Sequence, residues 1–150
     1  MKILYNSLST IFTGILLICV FNSYAQVTDN PDSIKKYTID NCVSEFSSDG
    51  IIKTSTGYQF WFVDKEFLDG RTLKMSVVAP NSATHPPHKH AEDEFFFVLE
   101  GTAEFYLDGK TKTAEAYASF YCPANVEHGI RNAGDTELKY LVIKKYKMKE

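Results

Sequence analysis

The chain has 150 residues, 44% of them hydrophobic, 14% aromatic and 23% charged, with a formal net charge of −3. This composition suits one ordinary globular domain and excludes a disordered chain or a repeat array; mild acidity with no clustered basic face excludes a nucleic-acid binder. Phe and Tyr number 11 and 9 against a single Trp, a supply of β-prone side chains that favours strands over helices.

Residues 1–25 read as a segment apart. Lys2 gives a positive start, Ile11 to Phe21 form a short uncharged apolar run, and Ser23-Tyr24-Ala25 offers small residues at a cleavage position before Gln26. This is the pattern of a secretory signal peptide. The run is too short for a transmembrane anchor, which needs roughly 20 apolar residues. The expectation is therefore an exported protein, periplasmic or secreted, with no membrane contact after cleavage. Loss of the segment moves the formal charge from −3 to −4, since it holds Lys2 and no acid.

Residues 26–36 are polar, contain Pro31 and read as a flexible lead-in to a single domain over 37–150. Tyr58 to Val63 is aromatic and β-branched, and Arg71 to Val78 places Leu73, Met75 and Val77 on one face. Phe95 to Leu99 and Ala103 to Leu107 flank Gly101, and Asp108-Gly109 is a two-residue hairpin signal. Ser119 to Cys122, Gly129 to Asn132 and Leu138 to Tyr146 complete the set, with a turn at Asn132 to Asp135. No stretch of a dozen residues keeps a 3.6-residue period. Short, closely spaced, half-apolar strands predict an all-β fold, a small antiparallel barrel or jelly roll.

Several residue groups have bland readings. Lys144, Lys145, Lys147 and Lys149 read as solvation of a terminal strand. Glu92 and Asp93 read as solvated loop acids, and Glu100 and Glu104 as surface charges. Tyr58, Phe60 and Phe62 share one face of their strand and Gln59, Trp61 and Val63 the other; one set either fills the barrel or lines a pocket that Met75 and Val77 join. Cys42 and Cys122 either pair in an oxidising compartment or stay as thiols. Leu138 to Ile143 is either an edge through which a homodimer forms or an internal strand.

The chemistry lies in the histidines. His88 and His90 are two apart, so an extended strand points both imidazoles to one face. Glu94 is a further even offset away and shares that face if the strand runs unbroken, which also turns Phe96 and Val98 inward. His128 follows Pro123 on a different strand. Three neutral imidazoles and one carboxylate suit Fe, Mn, Co, Ni, Cu or Zn rather than Ca, and leave one or two positions open for water or substrate. His85, ahead of Pro86-Pro87, is a rim histidine or a proton shuttle at the cavity mouth.

The segment His88-Lys89-His90-Ala91-Glu92-Asp93-Glu94, with Gly101 after it, resembles the first motif of the cupin superfamily: H-x-H, three residues, E, six residues, G. Pro123 to His128 with Asn132 resembles the second, P-x-G-x-x-H-x-x-x-N. Asn125 stands where Gly is usual, and Tyr117 where that motif opens with Gly. Asn tolerates positive φ and can make the same turn. The resemblance spans roughly Tyr58 to Tyr146 and implies a metal ion held by His88, His90, Glu94 and His128. It is nearest in motif to quercetinase-like dioxygenases, which implies a small-molecule substrate and Glu94 as both ligand and catalytic base. Two other readings stand beside this one: a metal-dependent isomerase or lyase acting on a sugar acid or related carbonyl compound, and a non-catalytic module that binds a ligand or metal.

Overall fold

A computed structural model describes residues 37–148. The expected signal peptide (1–25), the lead-in (26–36) and Lys149 lie outside the described residues. A short helix, α1 (Ile39–Cys42), is capped at both ends of its first turn, Thr38 Oγ1 accepting from the Asn41 N–H and Asn41 Oδ1 from the Thr38 N–H. A 3-10 turn at Ser48–Gly50 then leads into the strands.

The strands are β1 (Ile52–Thr54), β2 (Gly57–Leu68), β3 (Arg71–Val78), β4 (Glu94–Glu100), β5 (Ala103–Leu107), β6 (Lys110–Ala114), β7 (Ser119–Cys122), β8 (His128–Asn132) and β9 (Leu138–Lys145). They pair antiparallel throughout, in one sheet of order β1-β2-β3-β9-β4-β7 and a second of order β6-β5-β8. The fold is an antiparallel β-barrel of the jelly-roll kind, as expected. β9 runs between β3 and β4, so it is an internal strand and offers no free edge.

Side-chain alternation divides the large sheet into two faces. Val78, Phe96, Val98, Leu138, Tyr140 and Val142 face the small sheet and pack on Ala103, Phe105 and Ile130 to close the barrel. Phe60, Met75 and Val77 pack on the opposite face with Ile51, Tyr58, Phe62, Leu99 and Leu141. The residues before β1 cover that face, with the Phe46 ring 5.1 Å from Phe60. Of the two faces of β2 left open by the sequence, that of Tyr58, Phe60 and Phe62 lies outside the barrel with Met75 and Val77, and that of Trp61 lies inside. Register decides it: Phe60 pairs with Met75, whereas Trp61 pairs with Lys74, and only the second pair shares the face of Phe96.

The turns follow from their residues. Asp108 (φ 45°) and Gly109 (φ 80°) form the β5–β6 hairpin connection. Gly101 (φ 87°) has the Glu137 carbonyl oxygen 2.5 Å from where a Cβ would stand, so both its conformation and the close approach of β9 require glycine. Asn132 is fully buried; its amide donates to the Val78 and Thr136 carbonyls and its Oδ1 accepts from the Gly134 N–H, which pins the turn before β9 to the end of β3.

Candidate metal centre

Two elements bring the histidines together. His88 is not part of a regular strand. It makes an isolated two-hydrogen-bond bridge to His128, first residue of β8, with N–H···O distances of 3.0 and 2.9 Å. Gly129 allows this approach, because Pro87 lies 3.3 Å from where a Gly129 Cβ would be. The chain then bends at Ala91-Glu92 before β4 begins at Glu94. The condition of an unbroken strand from His88 to Glu94 is not met: the segment is a bridge, a bend and a strand. The Asn125 N–H, donating to the His90 carbonyl at 2.8 Å, ties this bend to the loop before β8.

The four side chains converge despite the bend. One ligand atom from each of His88, His90, Glu94 and His128 lies within 4.8 Å of the others. Glu94 Oε1 is 3.4 Å from His90 Nε2 and 3.1 Å from His128 Nε2. Glu94 and His128 are buried, while His88 and His90 are half-buried.

The ring nitrogens of the three histidines differ in their surroundings. Each Nδ1 faces a backbone carbonyl: Pro86 at 3.3 Å for His88, Glu92 at 2.6 Å for His90 and Val126 at 2.7 Å for His128. A carbonyl only accepts, so each Nδ1 carries a proton, which leaves Nε2 as the ring nitrogen that can meet a metal ion. The Nε2 atoms of His90 and His128 face Glu94 Oε1, itself an acceptor, and buried His90 Nε2 has no hydrogen-bond partner. Two Nε2 atoms within 3.1–3.4 Å of one carboxylate oxygen fit a shared cation, and a carbonyl on the far ring nitrogen is how proteins orient metal-binding imidazoles. The donor set fits a divalent transition ion.

Sequence reasoning missed three contributors. Lys144 is the cross-strand partner of Glu94, its side chain is 8% exposed, and its Nζ lies 3.7 Å from Glu94 Oε2. The reading of Lys144 as a solvated terminal lysine is thereby corrected. The parity of β9 held the signal, since Lys144 is even with Tyr140 and Val142. Lys74, on the inner face of β3, is held below the ordinary lysine value by burial and by Lys144, against the attraction of Glu94. Glu92 is also more than a solvated acid: its carbonyl receives the His90 Nδ1–H and its carboxylate lies 3.9 Å from the same nitrogen.

Other expected residues fall outside the cluster. The His85 ring packs edge-on to His88 at 4.5 Å, and burial, then His88 and Lys74, hold it below the usual histidine range. Glu104 and Glu100 form surface pairs with Arg131 at 2.6 Å and Lys139 at 2.8 Å, and Asp93 receives the Tyr121 hydroxyl. Cys42 is exposed and Cys122 buried; both are free thiols. Phe96 and Val98 do point inward, but Lys144 and Lys74 make the surround of Glu94 more polar than expected.

The family model of the cupin domain matches residues 74–144, from β3 to β9, and so takes in all four cluster residues. Residues 74–144 form a cupin domain. Among solved structures, the plu4264 protein of Photorhabdus luminescens aligns over 74% of this chain and 90% of its own, at 18% identity and a TM-score of 0.60. A predicted oxalate decarboxylase of Thermotoga maritima aligns over 59% and 78%, at 24% identity and a TM-score of 0.56. A cupin sugar phosphate isomerase of Silicibacter pomeroyi aligns over 65% and 60%, at 21% and 0.54. These are likenesses of fold. A curated relative, polyketide synthase CurC of Streptomyces cyaneus, is 28% identical over 67 residues, 45% of this chain and 44% of that protein, so under half its length is matched. No helix among the described residues is long and apolar enough to cross a membrane.

Proposed function

We propose that this cupin domain is a metal-dependent enzyme acting on a small molecule, with dioxygenation of an enol or catechol as the reaction. The observation that carries the metal centre is the convergence of the His88, His90, Glu94 and His128 ligand atoms within 4.8 Å of one another, each imidazole held by a carbonyl on Nδ1. A bound transition ion supplies Lewis acidity at an open position and, when redox-active, a route for electrons between substrate and dioxygen. His88, His90, Glu94 and His128 would hold it. Glu94 Oε2, 3.7 Å from Lys144 Nζ, receives the substrate hydroxyl proton, and Lys144 helps fix the carboxylate. Phe96, Val98 and Val142 keep bulk water from this side of the centre.

A second reading, an isomerase or lyase proceeding through an enediolate, is favoured by the same two lysines. Cations beside Glu94 stabilise an anionic intermediate without any change of oxidation state. We further propose export of the chain, on the strength of Lys2, the apolar run Ile11 to Phe21 and Ser23-Tyr24-Ala25; N-terminal sequencing of protein from its native host tests this, and an intact Met1 counts against it.

The deciding experiment is elemental analysis of protein purified without added metal, followed by oxygen-uptake screens on phenolic substrates. Near-stoichiometric Fe, Mn, Cu or Ni with oxygen uptake supports the dioxygenase. Near-stoichiometric Zn with no uptake moves the assignment to Lewis-acid chemistry. Absence of metal overturns the metal centre and leaves a binding module.

A further inference from the structure

The two sheets leave a seam where β6, the last strand of the small sheet, comes beside β7, the last strand of the large one. A cleft of about 320 Å³ opens along this seam. Its apolar wall is Phe105, Leu107, Ala114, Ala118 and Phe120, with the Phe105 and Phe120 rings 4.9 Å apart. Phe105 is 6% exposed and belongs to the barrel core, so the cleft reaches the core itself.

The register puts charge on this apolar face. Phe105 pairs with Lys112 and Leu107 with Lys110, so strand alternation turns both lysines to the side of the sheet that meets the core. Both side chains line the cleft, stay exposed at its opening and are joined there by no acid. Neither lysine forms an ion pair among the described residues. Inward-turned lysines on an edge strand also discourage pairing with another strand, but that role needs no apolar cleft beneath them. Apolar walls below two unmatched ammonium groups are complementary to an amphipathic anion.

We propose that this cleft binds a carboxylate with a short apolar chain. The chain lies against Phe105, Leu107 and Phe120, and the carboxylate meets Lys110 and Lys112. The site is separate from the metal centre, since no cluster residue lines it. Leu107 borders both, lining the cleft and pairing with His128 across β5 and β8. Burial holds the tail, and the two lysines select the head, so that the preference for an anion weakens as salt rises.

The test titrates octanoate, octanamide and octylammonium into the full chain by calorimetry at low salt. The three probes share a tail and differ in the charge of the head. Octanoate should bind about tenfold more tightly than octanamide, and octylammonium more weakly than either. The double variant Lys110→Gln, Lys112→Gln should remove this preference and leave the octanamide affinity unchanged. Both lysines are exposed, so the variant tests charge rather than folding. A carboxylate is also a metal ligand, so each titration is repeated after chelation with EDTA, and octanoate binding should persist. Equal affinities for octanoate and octanamide overturn the proposal, as does an octanoate affinity unchanged in the double variant. Loss of octanoate binding on chelation also overturns it and moves the carboxylate to the metal centre.

Discussion

Lys144 and Glu94 are direct cross-strand partners on β9 and β4, and their charged atoms meet at 3.7 Å inside the barrel. The pair gives the carboxylate of the candidate metal centre a resident countercharge. A bound divalent ion would supply the same compensation to Glu94, so the two cations would oppose each other's presence.

Lys144→Met should therefore act differently on the two states. Without metal it leaves a buried carboxylate unmatched, a loss of about 2 kcal/mol. With metal the loss should be smaller, and by linkage the variant should bind metal more tightly than the parent. Urea unfolding of both proteins in both states measures this. Equal losses with and without metal would reduce Lys144 to a packing role.

The ligand assignments predict a graded series. His90→Ala and His128→Ala should each remove most of the metal, whereas Glu94→Gln should keep part of it and abolish turnover. Metal per chain and oxygen uptake are the readouts. Unchanged metal content in the histidine variants would show that the ion, if any, sits elsewhere.

Two departures from the cupin motifs predict opposite responses. Tyr117 and Asn125 stand where glycine is usual, and both adopt positive φ, 68° and 60°. The Tyr117 side chain is 82% exposed, so little packing offsets a conformation that costs a bulky residue roughly 1–2 kcal/mol. Tyr117→Gly should stabilise the protein by about 1 kcal/mol after the entropy cost of glycine. Asn125→Gly should change stability by only a few tenths, because Asn tolerates this region. Thermal melts of the two variants distinguish them; equal effects would contradict the strain argument.

Burial pushes the Cys122 thiol far above its ordinary value, with Glu94 adding to the effect. The sign follows from linkage. The unfolded thiol ionises near pH 8.5 and the folded one does not, so the stability it contributes is complete below about pH 8.5 and falls as pH rises. Buried Tyr140 shifts in the same direction and extends the loss above about pH 10. Urea unfolding at pH 7.5 and 9.5 should show the decline, and Cys122→Ala should flatten it. In the folded protein iodoacetamide should label exposed Cys42 and spare Cys122; labelling of both at neutral pH would contradict the burial.

How far the sequence reaches can be judged from single residues. Alternation in Arg71 to Val78 and Leu138 to Tyr146, and Asp108-Gly109, were enough for the strands, because side-chain direction along a strand is local and has period two. The spacing of His88, His90, Glu94 and His128 was legible for a different reason: metal ligation needs rare residue types, and these stand out against a background of strand formers.

What the sequence by itself determined is thus the class of fold, its turns and the identity of the clustered residues. What only the tertiary structure decided is which face of each strand meets which. Trp61 rather than Phe60 shares the face of Phe96, Lys144 lies against Glu94 rather than in solvent, and a bend at Ala91-Glu92 replaces a straight strand. These depend on register between residues as far apart in the chain as Arg71 and Lys145 and on a bulge after Trp61. A one-residue slip reverses every side chain of a strand, and the pairing that forbids the slip is set by packing against partners that no local pattern specifies.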